Sequence, residues 1–209
     1  MIIELENLGK RFNRQWIFRK LSYTFKAGTA YAIVGPNGSG KSTLLQVIAG
    51  AVEKSEGQLR WHKNNTLLTS ETHFEQLSIA APYLDLIEEL TLQEFFSFHQ
   101  SFKPFIDSHS VGSIIDYIGL GESAAKQIRY FSSGMKQRVK LAQAILAKTA
   151  VVMLDEPTTN LDLDGIALYR KLVIDHCSDR LLIICSNEEA EIEICTHRLN
   201  VNEFKQFRS

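Results

Sequence analysis

The sequence predicts an α/β fold with a mixed sheet core, an antiparallel β layer near the amino terminus and an inserted helical subdomain. Three observations support this prediction. Apolar residues alternate in the first part of the chain, and three later segments are short continuous apolar runs that each precede a helical pattern. A long middle stretch has helical periodicity without strand signals. Together these features describe strand and helix units interrupted by a helical insertion.

The alternating segments come first along the chain. Residues 2–8 and 21–25 carry rough apolar alternation, which suits strands with one buried face. Residues 57–61 are predicted to extend the same layer. Because strands with one buried face are typical of antiparallel sheets, we expect an antiparallel layer here.

The continuous apolar runs are typical of strands that are covered on both faces in a parallel sheet. They comprise residues 31–34, 151–154 and 181–185. Helices are predicted directly after them, over residues 42–49, 164–176 and 188–195. This repeated order of strand, loop and helix predicts the α/β core.

The middle of the chain predicts helices instead. Thr91 and Glu94 have the spacing of a capping box that opens a helix. The helix continues through three phenylalanines, Phe95, Phe96 and Phe98, and isoleucines then recur at helical spacing at Ile114, Ile115 and Ile118. Core packing accounts for the phenylalanines, with a partner-binding face as the alternative. We predict a helical subdomain over about residues 83–135 within a single domain of residues 1–209.

The composition is that of an ordinary globular chain, with 44% hydrophobic and 22% charged residues. A formal net charge of −1 lacks the positive field of a non-specific nucleic-acid binder, so no nucleic-acid partner is expected. Acids in the first apolar stretch, Glu4 and Glu6, are incompatible with a signal peptide, and the apolar runs are strand-sized. We therefore expect a cytoplasmic chain whose membrane role, if any, needs a partner protein. The three cysteines lack metal-ligand spacing and are expected as reduced thiols.

A phosphate-binding loop is predicted after the apolar run of residues 30–34. The pattern Gly-x-x-x-x-Gly-Lys-Ser/Thr is matched, with Thr43 following, by Gly35, Pro36, Asn37, Gly38, Ser39, Gly40, Lys41 and Ser42. Glycines let backbone N–H groups close around phosphate oxygens, and a helix amino end adds partial positive charge. Lys41 is expected to reach the β- and γ-phosphates of ATP, and the Ser42 hydroxyl to bind Mg²⁺. The alternative is a glycine-rich turn that binds nothing.

Two acids, Asp155 and Glu156, follow the apolar run of residues 151–154. They stand at the carboxyl end of a predicted buried strand, where ligands bind in open α/β sheets. Asp155 is expected to hold Mg²⁺, directly or through water. Glu156 is the predicted general base that orients and deprotonates the attacking water. A surface turn with incidental acids is the alternative.

The segment of residues 131–138, Phe-Ser-Ser-Gly-Met-Lys-Gln-Arg, lies between these two motifs. Here the chain resembles the ATP-binding cassette (ABC) family, whose signature is usually Leu-Ser-Gly-Gly-Gln. Ser132 and Gly134 match this signature, whereas Ser133 and Met135 depart from it. The resemblance covers essentially the whole chain and implies a P-loop NTPase fold of ABC type. It also implies a head-to-tail dimer, in which Ser132 of one subunit contacts the γ-phosphate held by the other. The alternative is an ordinary helix cap, which the segment would indicate if it stood alone.

The resemblance extends to two more segments. Asn160, Leu161 and Asp162 are similar to the family's D-loop, which crosses the dimer interface near the catalytic acid, so Asp162 is implied to be a site residue. Phe12 matches the aromatic position that stacks on adenine, and an aromatic face suits that planar base. Core packing is the alternative for Phe12, and Trp16 is a second candidate for stacking.

Two positions depart from the family's pattern. Tyr83 stands where the family commonly has a glutamine that senses Mg²⁺ and the γ-phosphate. Asn187 stands where the family has a switch histidine, and asparagine can donate a hydrogen bond to the γ-phosphate but cannot carry a proton or charge. We therefore expect hydrolysis that is slow, or insensitive to pH near the pKa of histidine. His197 lies too far along the chain to replace that histidine.

The resemblance implies an ATP-binding subunit of an ABC transporter, which binds and hydrolyses MgATP in a homodimer or heterodimer of cassettes. Because the sequence has no spanning run, the integral membrane permease is expected to be encoded separately. The subunit would then lie on the inner face of the cell membrane. Two alternatives stay open: an ABC ATPase of translation or DNA repair, and a nucleotide-gated clamp that scarcely hydrolyses. ABC proteins of translation or repair usually carry two cassettes or long coiled-coil insertions, which do not fit in 209 residues.

Overall fold

The computed structural model describes residues 1–69, 72–106 and 109–205. Within these ranges the strands are β1 (Ile2–Phe12), β2 (Gln15–Lys26), β3 (Thr29–Val34), β4 (Glu56–Lys63), β5 (Thr66–Leu67), β6 (Leu77–Ala80), β7 (Val151–Asp155), β8 (Leu181–Cys185) and β9 (His197–Asn200). The α-helices are α1 (Lys41–Ile48), α2 (Leu92–Phe102), α3 (Val111–Tyr117), α4 (Ser133–Ile145), α5 (Leu163–His176) and α6 (Glu189–Ile192). This order of elements is that of an α/β fold, as predicted.

The predicted antiparallel layer is confirmed as a four-stranded sheet with the strand order β2-β1-β4-β5. Its described pairs are antiparallel, and Ile3 of β1 lies between Phe25 of β2 and Trp61 of β4. All three side chains are buried, because the alternation of these strands turns their apolar residues toward one face. The sheet therefore covers one side of the core.

The continuous apolar runs form a second, five-stranded sheet with the order β6-β7-β8-β3-β9. Its neighbouring strands all pair in parallel, so the predicted mixed core consists of one antiparallel and one parallel sheet. Every residue of β7 and β8 is buried, as expected for strands that are covered on both faces. Helix α1 packs on one face, in the same apolar cluster as the antiparallel sheet, and α4 and α5 pack on the other. The carboxyl ends of β3, β7 and β8 thereby meet along one edge.

Helices α2 and α3 lie in the segment that was predicted to form a helical subdomain. The capping box of Thr91 and Glu94 is present at the start of α2. Phe95 and Phe96 are buried, whereas Phe98 is exposed, so core packing accounts for two of the three phenylalanines. The buried residues of both helices belong to the same cluster as one face of the parallel sheet, and the subdomain boundary stays a prediction.

The helices after the parallel strands are those that the sequence predicts, with one correction. Helix α6 ends at Ile192 rather than continuing to Cys195, because the chain must turn there to bring β9 beside β3. The Thr196 amide already donates to the Ala30 carbonyl, at 3.1 Å. None of the helices in the described ranges is long and apolar enough to cross a membrane.

Candidate functional site

The predicted phosphate loop joins the end of β3 to the start of α1 and curls tightly. The Ser39 amide donates to the Pro36 carbonyl, at 2.9 Å. Gly40 has φ of +103°, and a Cβ at this position would lie 2.3 Å from Cγ2 of Ile17. Glycine is therefore required at residue 40, both for the left-handed backbone and for the close approach of Ile17.

The amino end of α1 is open to an anion. Gly40 provides no side-chain cap, and the first turn of the helix holds no acidic residue. Its first N–H groups therefore have no intrahelical acceptor. Lys41 is buried beneath the loop, where its Nζ donates to the Gly35 carbonyl at 2.7 Å and approaches the Pro36 carbonyl at 3.5 Å. A lysine ammonium and free backbone amides are thus grouped at one helix end.

Asp155 ends β7 as a buried carboxylate. It is 1% exposed, and neither carboxylate oxygen has a hydrogen-bond partner within the described residues. Burial raises the pKa of Asp155 to about 6, while the nearby Ser42 hydroxyl and the Lys41 ammonium act in the opposite direction. A buried carboxylate with two free oxygens beside a hydroxyl fits the oxygen ligands that Mg²⁺ prefers.

Glu156 turns away from the sheet directly after Asp155. Its φ is +45°, a left-handed conformation that is uncommon outside glycine, and its amide donates to the Cys185 carbonyl at 2.9 Å. This backbone turn leaves Glu156 exposed at the sheet edge. Strained backbone of this kind is frequent at functional sites.

Two adjoining cavities bring the motifs together. The first has a volume of about 240 Å³ and is lined by Ile17, Asn37, Gly38, Ser39, Gly40, Lys41, Ser42, Thr43 and Glu156. The second has a volume of about 250 Å³ and is lined by Asn37, Glu156, Thr158, Thr159, Ser186, Asn187, Glu188 and Glu191. Because Asn37 and Glu156 line both cavities, the phosphate loop, the acid and the loop after β8 share one site.

Asn187 is held against the phosphate loop. Its Oδ1 accepts a hydrogen bond from the Gly35 amide, at 3.1 Å. The neighbouring Ser186 is buried, and its hydroxyl accepts from the Glu188 amide at 2.9 Å. The loop after β8 is therefore fixed both to itself and to the entrance of the phosphate loop.

Ser132 and Gly134 lie at the amino end of α4 and line neither cavity. The Ser132 hydroxyl accepts from the Met135 amide at 3.2 Å, so it is a helix cap in this chain. A Cβ on Gly134 would lie 3.0 Å from the carbonyl oxygen of Asn160, which places this helix end against the Asn160 segment. The two segments that the family resemblance assigns to a dimer interface are thus neighbours.

Asp162 caps α5 and also binds α4. Its Oδ1 accepts from the Gly165 amide at 2.8 Å and from Nη2 of Arg138 at 2.9 Å. One residue earlier on α4, buried Gln137 donates through Nε2 to the Pro157 carbonyl, at 2.7 Å. Helix α4 is therefore tied to both ends of the segment that follows Asp155.

The aromatic residues near the start of the chain lie on the surface. Phe12 is 49% exposed, which excludes core packing for it, and Nζ of Lys10 lies 4.6 Å from its ring centroid. Trp16 is half-buried, and the guanidinium carbons of Arg11 and Arg19 lie 5.5 and 4.5 Å from its ring centroid. Neither aromatic residue lines the two cavities, although Ile17 does.

Tyr83 follows β6 at the same edge of the parallel sheet. Partial burial raises the pKa of Tyr83 to about 12; Gln46 lowers it through a hydrogen bond, and the charges of Asp155 and Cys185 raise it. Lys140 of α4 holds the preceding backbone, donating to the carbonyl of Ala81 at 3.3 Å and to that of Pro82 at 3.2 Å. The charge of Asp155 therefore acts on the phenol of Tyr83.

Several site residues were missed from the sequence. Three residues that belong to none of the motifs line or support the site: Ile17, Lys140 and Glu191. Gln137 lies in the segment of residues 131–138, but no role was predicted for it. Glu191 stands between Ala190 and Ile192 in a stretch with several glutamates, so nothing in the sequence singles it out. Only the fold brings these side chains to the sheet edge.

The chain is similar to known ATP-binding proteins. The ABC transporter YybJ of Bacillus subtilis (strain 168), an uncharacterized ATP-binding protein, is 29% identical over 208 residues, which cover 96% of this chain and 93% of YybJ. The cytochrome c biogenesis ATP-binding export protein CcmA of Mesorhizobium japonicum is 31% identical over 185 residues, covering 87% of this chain and 89% of CcmA.

Among solved structures, a putative ABC transporter ATP-binding protein from Pyrococcus furiosus has a similar fold. It superposes with a TM-score of 0.81 at 20% identity, over 99% of this chain and all of that one. Residues 18–159, which contain the phosphate loop, α4 and the acids Asp155 and Glu156, match the ABC transporter family. The chain therefore belongs to the ABC transporter family.

Proposed function

We propose that this chain is the ATP-binding subunit of an ABC transporter, which binds and hydrolyses MgATP in a head-to-tail dimer to drive a separate membrane permease. The observation that carries the proposal is the shared site at the edge of the parallel sheet. There Glu156 lines one cavity with the phosphate loop, and Asp155 has two buried oxygens without hydrogen-bond partners among the described residues.

Binding of the triphosphate is assigned to residues 35–43 and the open amino end of α1. Lys41, which donates to the loop carbonyls, is positioned to exchange these acceptors for the β- and γ-phosphates. Ser42 and Asp155 are the residues that would hold Mg²⁺. When bound, Mg²⁺ neutralises negative charge on the phosphate oxygens.

Hydrolysis is assigned to Glu156. As the water oxygen attacks the γ-phosphorus, the carboxylate takes a water proton, and the bond from this phosphorus to the bridging oxygen of ADP breaks. The products are ADP and inorganic phosphate. The exposed position of Glu156, at the junction of the two cavities, leaves room for this water.

A second subunit is proposed to complete each site. Ser132 and Gly134 line neither cavity of their own chain, and Ser132 is exposed at the start of α4. In a head-to-tail dimer they would contact the γ-phosphate on the partner, and Asp162 would lie at the interface. Phe12, which is exposed on the surface, is proposed to stack on adenine.

The transport role rests on the family and on the names of relatives. CcmA of Mesorhizobium japonicum is named as an ATP-binding export protein, and YybJ as an ABC transporter ATP-binding protein. A chain of this kind would act at the inner face of the cell membrane, attached to its permease. Conformational change would pass to that permease because ATP stabilises the closed dimer more than the open one.

Two side chains favour slow hydrolysis as a property of this site. Asn187 accepts a hydrogen bond from the Gly35 amide, and its side chain cannot take up or release a proton during hydrolysis. Tyr83, where the family commonly has glutamine, is near Asp155 but its phenol is a poor substitute for an amide carbonyl. A nucleotide-gated clamp with little turnover is therefore the second candidate.

The proposal is tested by phosphate release and by calorimetry with MgATP. Glu156→Gln should lower phosphate release by about 10²- to 10⁴-fold while MgATP binding stays, because only the proton acceptor is lost. Glu193→Gln changes an exposed acid that directly follows α6, and it serves as the control. It should leave phosphate release and MgATP binding unchanged. Absence of binding heat with millimolar MgATP would refute the proposal, and parent release equal to that of Glu156→Gln would favour the clamp.

A further inference from the structure

Glu191, on the short helix α6, is a buried carboxylate outside the recognised motifs. It is 3% exposed and lines the cavity of about 250 Å³ together with Glu156 and Asn187. Its Oε1 accepts two hydrogen bonds from Thr158, one from the amide at 2.7 Å and one from the hydroxyl. Its Oε2 is buried and has no partner in the described part of the chain. Within the described residues, the Glu191 side chain thus accepts hydrogen bonds from a single residue, Thr158, which stands two positions after Glu156.

The segment of residues 156–160, which Glu191 contacts through Thr158, contains left-handed backbone. Glu156 has φ of +45° and Asn160 has φ of +66°, and Thr158 lies midway between them. Asparagine adopts left-handed backbone readily, whereas glutamate holds it only where the surroundings determine it. The Thr159 amide donates to the Glu156 carbonyl at 3.2 Å, so the turn is closed from within by a long hydrogen bond. From outside, the two hydrogen bonds from Thr158 to Glu191 anchor the turn on one side, and the Gln137 bond to the Pro157 carbonyl anchors it on another.

The anchor itself is fixed to the core. The carbonyl oxygen of Glu191 accepts a hydrogen bond from the hydroxyl of Tyr169, at 2.7 Å, and Tyr169 is 1% exposed on α5. Glu191 also belongs to the segment that starts at Asn187, whose Oδ1 accepts from the Gly35 amide. One side chain therefore connects the loop after β8 with the loop that carries Glu156.

We propose that Glu191 is a positioning residue for hydrolysis. Through Thr158 it fixes the position of the Glu156 loop relative to the loop that contains Asn187. The inference rests on the proposed function, because Glu156 must be the base for its position to matter. A carboxylate suits this role, since hydrogen bonds to a charged acceptor are shorter and stronger than neutral ones. A displacement of a catalytic group by about 1 Å can cost on the order of 10²-fold in rate.

The test compares variants at residue 191 by single-turnover phosphate release and by MgATP calorimetry. Glu191→Ala should lower the rate about tenfold to hundredfold and leave the dissociation constant within about threefold, because the base moves while the phosphate loop stays. Glu191→Gln should restore most of the rate, since its amide oxygen still accepts from Thr158. Glu193→Ala is the matched control, an exposed glutamate of the same segment whose Oε1 lies 3.1 Å from Arg170.

A double-mutant cycle separates positioning from general stability. If Glu191 acts through Glu156, then Glu191→Ala adds little further loss, within about twofold, in a Glu156→Gln background. Thermal unfolding of each variant verifies that it is folded at the assay temperature. Should Glu191→Ala not fold, Glu191→Asp replaces it, because its shorter side chain withdraws the carboxylate from Thr158.

The outcomes are distinct. Rate loss with retained affinity, rescue by glutamine and a non-additive cycle support the role. A rate for Glu191→Ala equal to that of Glu193→Ala, or a full additional loss in the Glu156→Gln background, would overturn it while leaving the proposed function intact. A parent chain without nucleotide turnover would overturn both.

Discussion

Asn187 and Gly35 are joined by a hydrogen bond of 3.1 Å from the Gly35 amide to Asn187 Oδ1, across the mouth of the site. The bond links the loop after β8 to the first residue of the phosphate loop. It orients Oδ1 toward the backbone of this chain, so that the amide nitrogen is the group left to donate a hydrogen bond to the γ-phosphate in the proposed site. A histidine at this position would have a different donor geometry and could take up a proton.

Asn187→His is expected to raise the rate of phosphate release by about threefold to tenfold, since a better-placed donor stabilises charge that develops in the transition state. The variant should also acquire a step in its pH profile near 6.5, the ordinary pKa of imidazole, which the parent lacks because an amide does not titrate. Steady-state release from pH 5.5 to 8.5 measures both effects. Asn187→Ala is the control, and a histidine variant no faster than the alanine variant contradicts the prediction.

Glu156→Gln is expected to form a dimer only in the presence of MgATP, because blocked hydrolysis keeps two nucleotides between the subunits. Sedimentation velocity at saturating MgATP should show the dimer, and the nucleotide-free variant the monomer. Adding Ser132→Tyr, at the exposed start of α4, should abolish the dimer without altering the two cavities of the same chain. A monomer at every nucleotide concentration would count against the head-to-tail arrangement.

Arg180→Met is expected to lower the free energy of unfolding by about 2 to 4 kcal/mol. Nη1 of Arg180 donates to the Ile145 carbonyl, and Nη2 donates to the Ala147 carbonyl at 3.0 Å and to Oγ1 of Thr149 at 2.6 Å. Methionine keeps the apolar stem but removes the donors to the Ile145 carbonyl at the end of α4, the Ala147 carbonyl and the Thr149 hydroxyl.

Urea titration of the Arg180→Met variant measures this loss. Arg170→Met removes an exposed arginine whose Nε lies 3.1 Å from Glu193, and should change stability by only about 0.5 kcal/mol. Equal effects of the two substitutions would show that Arg180 does not act as a cap.

His99 is expected to make the protein less stable as the pH falls from about 6.5 to about 4. Burial, and secondarily the charge of Lys103, lowers the pKa of His99 to about 4 in the folded chain, from an ordinary 6.5. Between these values the unfolded chain binds the proton that the folded chain excludes, so stability rises with pH across this window. The contribution is about 2 kcal/mol after allowance for the partial solvent access of the ring.

The stability of the parent and of His99→Gln, measured by urea titration at pH 4.5 and 7, isolates this contribution. Burial also raises the pKa of Asp155 to about 6, so protonation of Asp155 stabilises the folded chain at acid pH and opposes the effect of His99. The role of His99 is therefore read from the difference in stability between the parent and His99→Gln. His99→Gln should lose less stability on acidification than the parent. His197→Gln, at an exposed position, should behave like the parent, and identical pH dependence in all three would exclude the role of His99.

The sequence predicted the strands that have strong local patterns. The runs that became β7 and β8 are apolar at nearly every position, and such runs are stable only when covered on both faces. The two-residue β5 and the four-residue β6 and β9 were not identified, because segments this short carry too few residues to show a period. The early end of α6 was missed for a related reason, since the pairing of β9 with β3 is set by distant parts of the chain.

The chemistry of the site was determined by the sequence itself. A loop that binds phosphate needs glycines at backbone positions that other residues resist, a lysine and a hydroxyl, and these stand together in residues 35–43. Asp155 and Glu156 are likewise adjacent, directly after an apolar run. Contacts of this kind are local, so their spacing along the chain is enough to indicate them.

Only the tertiary structure decided which distant groups support this chemistry. Ile17 reaches Gly40, Asn187 binds Gly35 across 152 positions of sequence, and Glu191 holds Thr158 from a separate helix. The contacts of Asn187 and Glu191 depend on the order of parallel strands, which brings the ends of β3, β7 and β8 to one edge. The contact of Ile17 depends on the antiparallel sheet, because Ile17 lies on β2. Because that order is fixed by packing of the whole sheet rather than by neighbouring residues, no local pattern in the sequence could reveal it.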